Sequence, residues 1–248
     1  MIFLRQFLFA FMFFTRLRVP FAPDMSGIRL AGCVWAFPLV GLVVGAVSAA
    51  VFLLTCQWGM PAMVAAWLAI AAQILLTGGL HEDGLADTAD ALAFNRSAEE
   101  KLAIMRDSRI GSFGVLALII TVGMRAAIIG SLAANFNAFC IIVIAAMMSR
   151  AAMAALMATT QQARQTGMAA DAGSPPPLAL LACCALPLPA VLFTGGVTAM
   201  LTAAAITCVA TWWIRRLAIR QFGGITGDVL GATQQLTELT LLITLLLL

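Results

Sequence analysis

Long apolar runs alternate with short polar stretches over almost the whole chain. A helix that crosses a bilayer needs about 20 mostly apolar residues. Runs near that length fall at roughly 31–54, 60–79, 112–133, 137–158, 178–194, 197–214 and 229–248. Seven crossings is the preferred count and six the fallback, because Pro187, Pro189, Gly195 and Gly196 blur the fifth and sixth. Residues 1–14, MIFLRQFLFAFMFF, are too short to span, and no small-residue cleavage site follows them. They read as a helix lying in the interface, anchored by Arg5, Arg16 and Arg18. Between the second and third spans, polar residues predict two short helices. One covers about 81–93; the other opens on the capping box Ser97-Ala-Glu-Glu100 and runs to about Asp107. The expected fold class is all-α: a polytopic membrane bundle of about seven spanning helices, an N-terminal interfacial helix and short cytoplasmic helices.

Composition agrees with that pattern. The chain is 62% hydrophobic and 10% charged, against about 45–50% and about 25% in soluble domains. Residues 1–248 form one membrane-embedded domain, with an interfacial segment at 1–30, an acidic loop at 80–111 and a glycine-rich loop at 215–228. The six cysteines lack metal-binding spacing and read as small buried hydrophobes. A single histidine excludes HExxH zinc chemistry. The net charge of +3 gives no reason to expect a nucleic-acid partner.

The placement of charge orients the map. Arg5, Arg16, Arg18 and Arg29 precede the first span. Arg96, Lys101, Arg106 and Arg109 follow the second, Arg164 the fourth, and Arg215, Arg216 and Arg220 the sixth, while the intervening turns hold no basic residue. By the positive-inside rule the N-terminus and the long loops face the cytoplasm. Two further arginines, Arg125 and Arg150, fall inside spans. Each needs a partner in the bundle interior: a packing ion pair, the acidic cluster or an anionic substrate.

That acidic cluster is Gly78-Gly-Leu-His-Glu-Asp-Gly-Leu-Ala-Asp-Thr-Ala-Asp90, which holds four of the chain's eleven acids and its only histidine. Asp83, Asp87 and Asp90 follow i, i+4, i+7 spacing, so a helix aligns them on one face, where they repel unless a cation or proton intervenes. Carboxylates so arranged suit a hard cation such as Mg²⁺ shared with substrate phosphates. His81 reads equally as a general base or as a backbone-bonded histidine. Ser108-Arg-Ile-Gly-Ser-Phe-Gly114, flanked by Arg106 and Arg109, offers a phosphate cradle at a helix start. Gly223-Gly-Ile-Thr-Gly-Asp-Val-Leu-Gly231 offers another, with Asp228 as a further metal ligand; it lacks the lysine of a P-loop.

These segments resemble the signature motifs of the cobalamin synthase (adenosylcobinamide-GDP ribazoletransferase) family: residues 78–90, 105–114 and 223–232, with Phe-Thr-Arg-Leu at 14–17 similar to its N-terminal motif. Gln235 stands where many members carry Glu, and 91–96 lacks the glycines common in relatives. The resemblance implies a multi-pass Mg²⁺-dependent enzyme of the bacterial inner membrane. Such an enzyme joins adenosylcobinamide-GDP to α-ribazole or its 5′-phosphate and releases GMP. It implies metal ligation by Glu82, Asp83, Asp87, Asp90 and Asp228, and catalytic roles among His81, Asp83, Asp87 and Asp90. Substrate contacts are expected from Arg16, Arg106, Arg109, Ser112, Arg150, Thr226 and Gly227. A homo-oligomer, or association with other corrinoid-pathway enzymes, stays open. Two other classes compete. A CDP-alcohol phosphatidyltransferase would carry an arginine that Asp83-Gly-Leu-Ala-Asp87 lacks. A cation or proton transporter would want acids at mid-span, where only Glu238 lies.

Overall fold

The computed structural model describes residues 2–20, 24–163 and 173–248; Arg164 of the expected basic loop lies outside them. Every regular element among the described residues is helical, apart from one parallel bridge between Gln162 and Ile225. The helices are α1 (Ile2–Phe14), α2 (Phe37–Gln57), α3 (Ala62–Thr77), α4 (Leu80–Leu92), α5 (Ala98–Ile104), α6 (Ser112–Ser131), α7 (Phe136–Thr159), α8 (Pro177–Ala185), α9 (Leu188–Phe222) and α10 (Gly227–Leu246). A 3₁₀ turn, Leu30–Ala36, leads into α2.

Helix α7 is the centre of the bundle and is buried nearly all round. Its small residues let α2 approach closely: a Cβ on Gly41 would lie 2.8 Å from the Met147 Cα, and one on Gly45 2.9 Å from the Val143 Cα. Backbone contact of this kind suits a bilayer, where lipid is as apolar as leucine and tight packing must supply the attraction. Helix α9 lies at the edge and turns Leu201, Val209, Trp212 and Trp213 outward.

Five segments are long and apolar enough to cross a membrane: Leu30–Gln57, α6, α7, α9 and α10. Counting α3 and α4 together as one bent span makes six. The expected continuous span at 178–194 is the correction. Helix α8 ends at Ala185, and Pro187 and Pro189 stand where α9 begins. Cys183 packs in the core cluster around Phe14 and Ile225, and Val191 in the cluster around Phe52 and Leu241, so the chain passes between them across that break. Gly196 then leaves helical geometry (φ 72°, ψ −170°) inside α9. Proline cannot donate its backbone hydrogen bond, so two helical pieces replace one.

Two features position the site. Gly78 and Gly79 are both left-handed (φ 72° and 71°), which ends α3 and turns α4 through 92°. Helix α4 therefore runs along one mouth of the bundle instead of continuing through it. It crosses the start of α10 at two glycines. A Cβ on Gly84 would lie 2.8 Å from the Asp228 carbonyl oxygen, and one on Gly231 3.2 Å from the Gly84 Cα. That crossing brings the first turn of α10 against the acidic helix.

Candidate active site

The expected carboxylate stripe is present on α4, with Asp83 exposed and Asp87 and Asp90 half-buried. Glu82, about 100° round the helix, turns into the bundle with His81; both are buried. Asp228 enters from α10, behind its N-cap Thr226, whose hydroxyl accepts from the Val229 amide at 3.2 Å. The other three aspartates all act electrostatically on Asp87. Burial first, then the charges of Asp83, Asp228 and Asp90, push the Asp87 carboxyl up from its ordinary 3.8 to about 7.

Asp90 has a partner that its spacing did not foretell. Its Oδ2 accepts from the Gly111 amide at 2.7 Å and its Oδ1 from the Gly114 amide at 2.8 Å. Gly111 is the N-cap of α6 and has no side chain to cap with, so α4 lends a carboxylate. Two amides of the phosphate cradle expected at 108–114 therefore already hold an internal anion. Arg106 and Ser112 are exposed. Arg109 is 86% exposed and pairs with Asp107 at 2.7 Å.

Glu82 belongs to a second polar cluster, deeper in the bundle. The Arg125 guanidinium donates to Glu238 at 2.8 Å, Gln73 at 2.8 Å and Gln235 at 2.9 Å, and meets Glu82 at 3.5 Å. The Gln235 amide donates to Glu82 at 2.9 Å while accepting from Arg125. A glutamate at 235 would set two carboxylates face to face there; the glutamine instead joins acid to base. Gln234 bridges Glu238 and Ser149. Arg150 is fully buried and donates to the Ala146 carbonyl at 2.9 Å, while its Nε and Nη2 have no hydrogen-bond partner. The partner that Arg125 required comes from α4 and α10 together.

Two cavities meet at Asp83. One is the narrower, about 150 Å³, and bounded by Phe14, Phe37, His81, Met153, Met157 and Asp228. The Phe14 and His81 rings stack at 5.7 Å, and the Phe14 and Phe37 rings meet edge to face at 4.8 Å. The His81 Nε2 is buried away from the cavity surface and has no hydrogen-bond partner. The other cavity is open and more polar, about 510 Å³, with Arg16, Gly78 and Gly79 in its wall. Phe13, Leu80 and Asp83 line both. Sequence reasoning missed the aromatic lining, since Phe14 and Phe37 look like ordinary membrane residues. It also underused Arg16, which Gly78 admits because a Cβ there would collide with the arginine side chain.

Among the described residues, no three of His, Cys, Asp and Glu converge tightly enough to hold an ion alone. Asp83, Asp87 and Asp228 have the hard oxygen donors for a divalent cation completed by phosphate and water. Glu82 Oε1 and both Asp90 oxygens are engaged elsewhere, and only Glu82 Oε2 is left without a partner.

The family model described as cobalamin-5-phosphate synthase matches residues 6–246. An adenosylcobinamide-GDP ribazoletransferase of Bradyrhizobium diazoefficiens is 38% identical over 231 residues, 93% of this chain and 89% of that protein. One from Xanthobacter autotrophicus is 42% identical over 96% of this chain and 94% of its own length. One from Shewanella piezotolerans is 35% identical over 98% and 95%. No solved structure matches the chain.

Proposed function

Because the chain belongs to the cobalamin-5-phosphate synthase family, we propose that it joins adenosylcobinamide-GDP to α-ribazole or its 5′-phosphate, releases GMP, and uses Mg²⁺. The carrying observation is the meeting of Asp83 and Asp87 with Asp228 where two cavities share a wall. A ribose hydroxyl of the acceptor attacks the phosphorus that bears the cobinamide. A new P–O bond forms, the pyrophosphate P–O bond breaks, and GMP departs with the bridging oxygen. The hydroxyl proton passes to a carboxylate of the cluster. Bound Mg²⁺ supplies charge neutralisation on the phosphate oxygens, which dominates phosphoryl transfer. Asp83, Asp87 and Asp228 hold it, Arg16 faces the donor phosphates from the open cavity, and Asp90 fixes α4 against α6.

The reaction belongs at the cytoplasmic face of the inner membrane. In support, basic residues tie together elements at this mouth: Lys101 bonds Gln221, and Arg215 donates to the Thr159 carbonyl at 2.9 Å. Transport is disfavoured because Glu238, the mid-span acid, is ion-paired to Arg125. The test is conversion of adenosylcobinamide-GDP and α-ribazole to a cobalamin and GMP by purified protein in lipid. Turnover should require Mg²⁺; equal turnover in EDTA ends the metal role, and no conversion under any metal ends the reading.

A further inference from the structure

A third cavity, a groove of about 580 Å³, lies between α7, α8 and α9 and includes none of the aspartates. That is the size of a small-molecule site, typically about 300–1,000 Å³. Met148, Ala151 and Ala152 of α7 are its buried floor, while Cys184 of α8 and Cys208 and Trp212 of α9 are exposed in its walls. Its threonines ask nothing of a ligand. The hydroxyls of Thr159, Thr207 and Thr211 donate to the carbonyls of Ala155, Ala203 and Thr207 at 2.8, 2.8 and 2.7 Å. The groove therefore offers apolar surface along its length and a cation at one end. There Arg215 is half-buried, and its Nε donates to the Thr159 carbonyl at 2.9 Å. That tie uses one of the five N–H donors of a guanidinium.

Length, charge and edging residues identify one occupant. Met148 to Thr159 along α7 and Ala204 to Arg215 along α9 each cover about three turns, about 16 Å at about 1.5 Å per residue. The hydrocarbon core of a bilayer is about 30 Å thick, so the groove has the depth of one leaflet. Helices α7, α8 and α9 contain no acidic residue, whereas Arg215 is followed on α9 by Arg216 and Arg220, both exposed. The Arg216 guanidinium lies over the Trp212 ring at 4.9 Å, and Trp213 beside it is exposed. Tryptophan with arginine marks the level where hydrocarbon gives way to headgroups. We infer that the groove binds one anionic phospholipid, with an acyl chain along α7 and α9 and its phosphate at Arg215 and Arg216. Basic pockets between membrane helices take acidic headgroups in this way. A zwitterionic lipid would bring its own ammonium to the same arginines, so charge selects the occupant. Pro187 and Leu188, where α8 gives way to α9, are also in the wall, so the bound chain packs against the break that proline forces. The site is independent of the proposed reaction.

Wild-type protein in phosphatidylcholine nanodiscs gives the first test. Bromine on an acyl chain quenches tryptophan fluorescence only at close range. A small fraction of brominated phosphatidylglycerol should therefore quench several-fold more than the same fraction of brominated phosphatidylcholine; equal quenching overturns the site. Trp212→Phe should remove most of the excess, and an excess that survives places the lipid elsewhere. Native mass spectrometry of the full chain after detergent exchange gives the second test. One phosphatidylglycerol should stay on each chain, and the double variant Arg215→Ala, Arg216→Ala should weaken its retention about tenfold or more. Ala155→Phe, which fills the groove and leaves every charge in place, should weaken it as well. Unchanged retention in Ala155→Phe would mean that anionic lipid merely gathers around the arginines, which overturns a site in the groove. Equal retention of the two lipids, or a dimer free of lipid, overturns it too, the latter by seating a second copy there. If the variants unfold, the quenching of wild-type protein still decides.

Discussion

Helix α4 carries two polar clusters on different faces, and they are opposites. On its inner side Glu82 joins a dry network in which Arg125 is balanced by Glu238 and tied through Gln73 and Gln235 to its neighbours. On its outer side Asp83 and Asp87 meet Asp228 of α10, and negative charge gathers next to two cavities. The inner cluster has answered its charges and works as a brace. The outer cluster borders the two cavities, where the proposed chemistry is placed. A membrane interior tolerates ionised groups only on such terms: neutralised by neighbours, or kept at a mouth where a ligand completes them.

The contrast can be broken most severely from the inner side. Arg125→Met strands Glu238 and Gln73 in the bundle interior and should cost about 3–5 kcal/mol of stability, read as a large fall in the unfolding midpoint in lipid nanodiscs. A midpoint near wild type would mean the network is no brace. On the outer side the expected pattern reverses. Asp83→Asn and Asp87→Asn should lower turnover about a hundredfold, on the order of 3 kcal/mol of barrier, with the midpoint kept or raised because like charges are relieved. Turnover within about twofold of wild type would return these aspartates to a solvated face. A third effect concerns pH. Asp87 has a raised carboxyl, so its contribution to stability is full below 3.8 and is lost as pH rises through about 7. In EDTA the midpoint should therefore sag across that window, Mg²⁺ should flatten the sag, and Asp87→Asn should abolish it. A pH profile identical with and without Mg²⁺ would count against metal binding at this carboxylate.

Local features were legible in the sequence because their determinants lie a few residues apart. The α4 stripe and the Ser97/Glu100 capping box are settled by spacing and side-chain reach, and the structure forms them as expected. What stayed hidden depends on which helices meet. Arg125 and Glu238 are 113 positions apart; each could be read as needing a partner, but nothing local named the other. Asp90 matched the metal-ligand spacing as well as Asp87 did, and only the arrival of a side-chain-free N-cap at Gly111 diverts it. The aromatic pocket was invisible for a different reason: phenylalanine is ordinary in a membrane helix until three-dimensional packing gathers it around a histidine. Pro187 and Pro189 already blurred the span at 178–194 in the sequence, but apolar run length alone does not say where the helix breaks.

The seating of Asp90 on the Gly111 and Gly114 amides also bears on which parts of this chain can change in length. It pins the end of α4 to the start of α6, so the ends of the intervening loop are held by contacts outside that loop. Lengthening a loop whose ends are already fixed adds little entropic cost, about 0.6 kcal/mol per doubling. Insertions between Ala93 and Ser97, before α5, should therefore leave the spacing of the aspartates intact. Length there is free to drift, while Gly111 and Gly114, where a Cβ would collide with Asp90, are not.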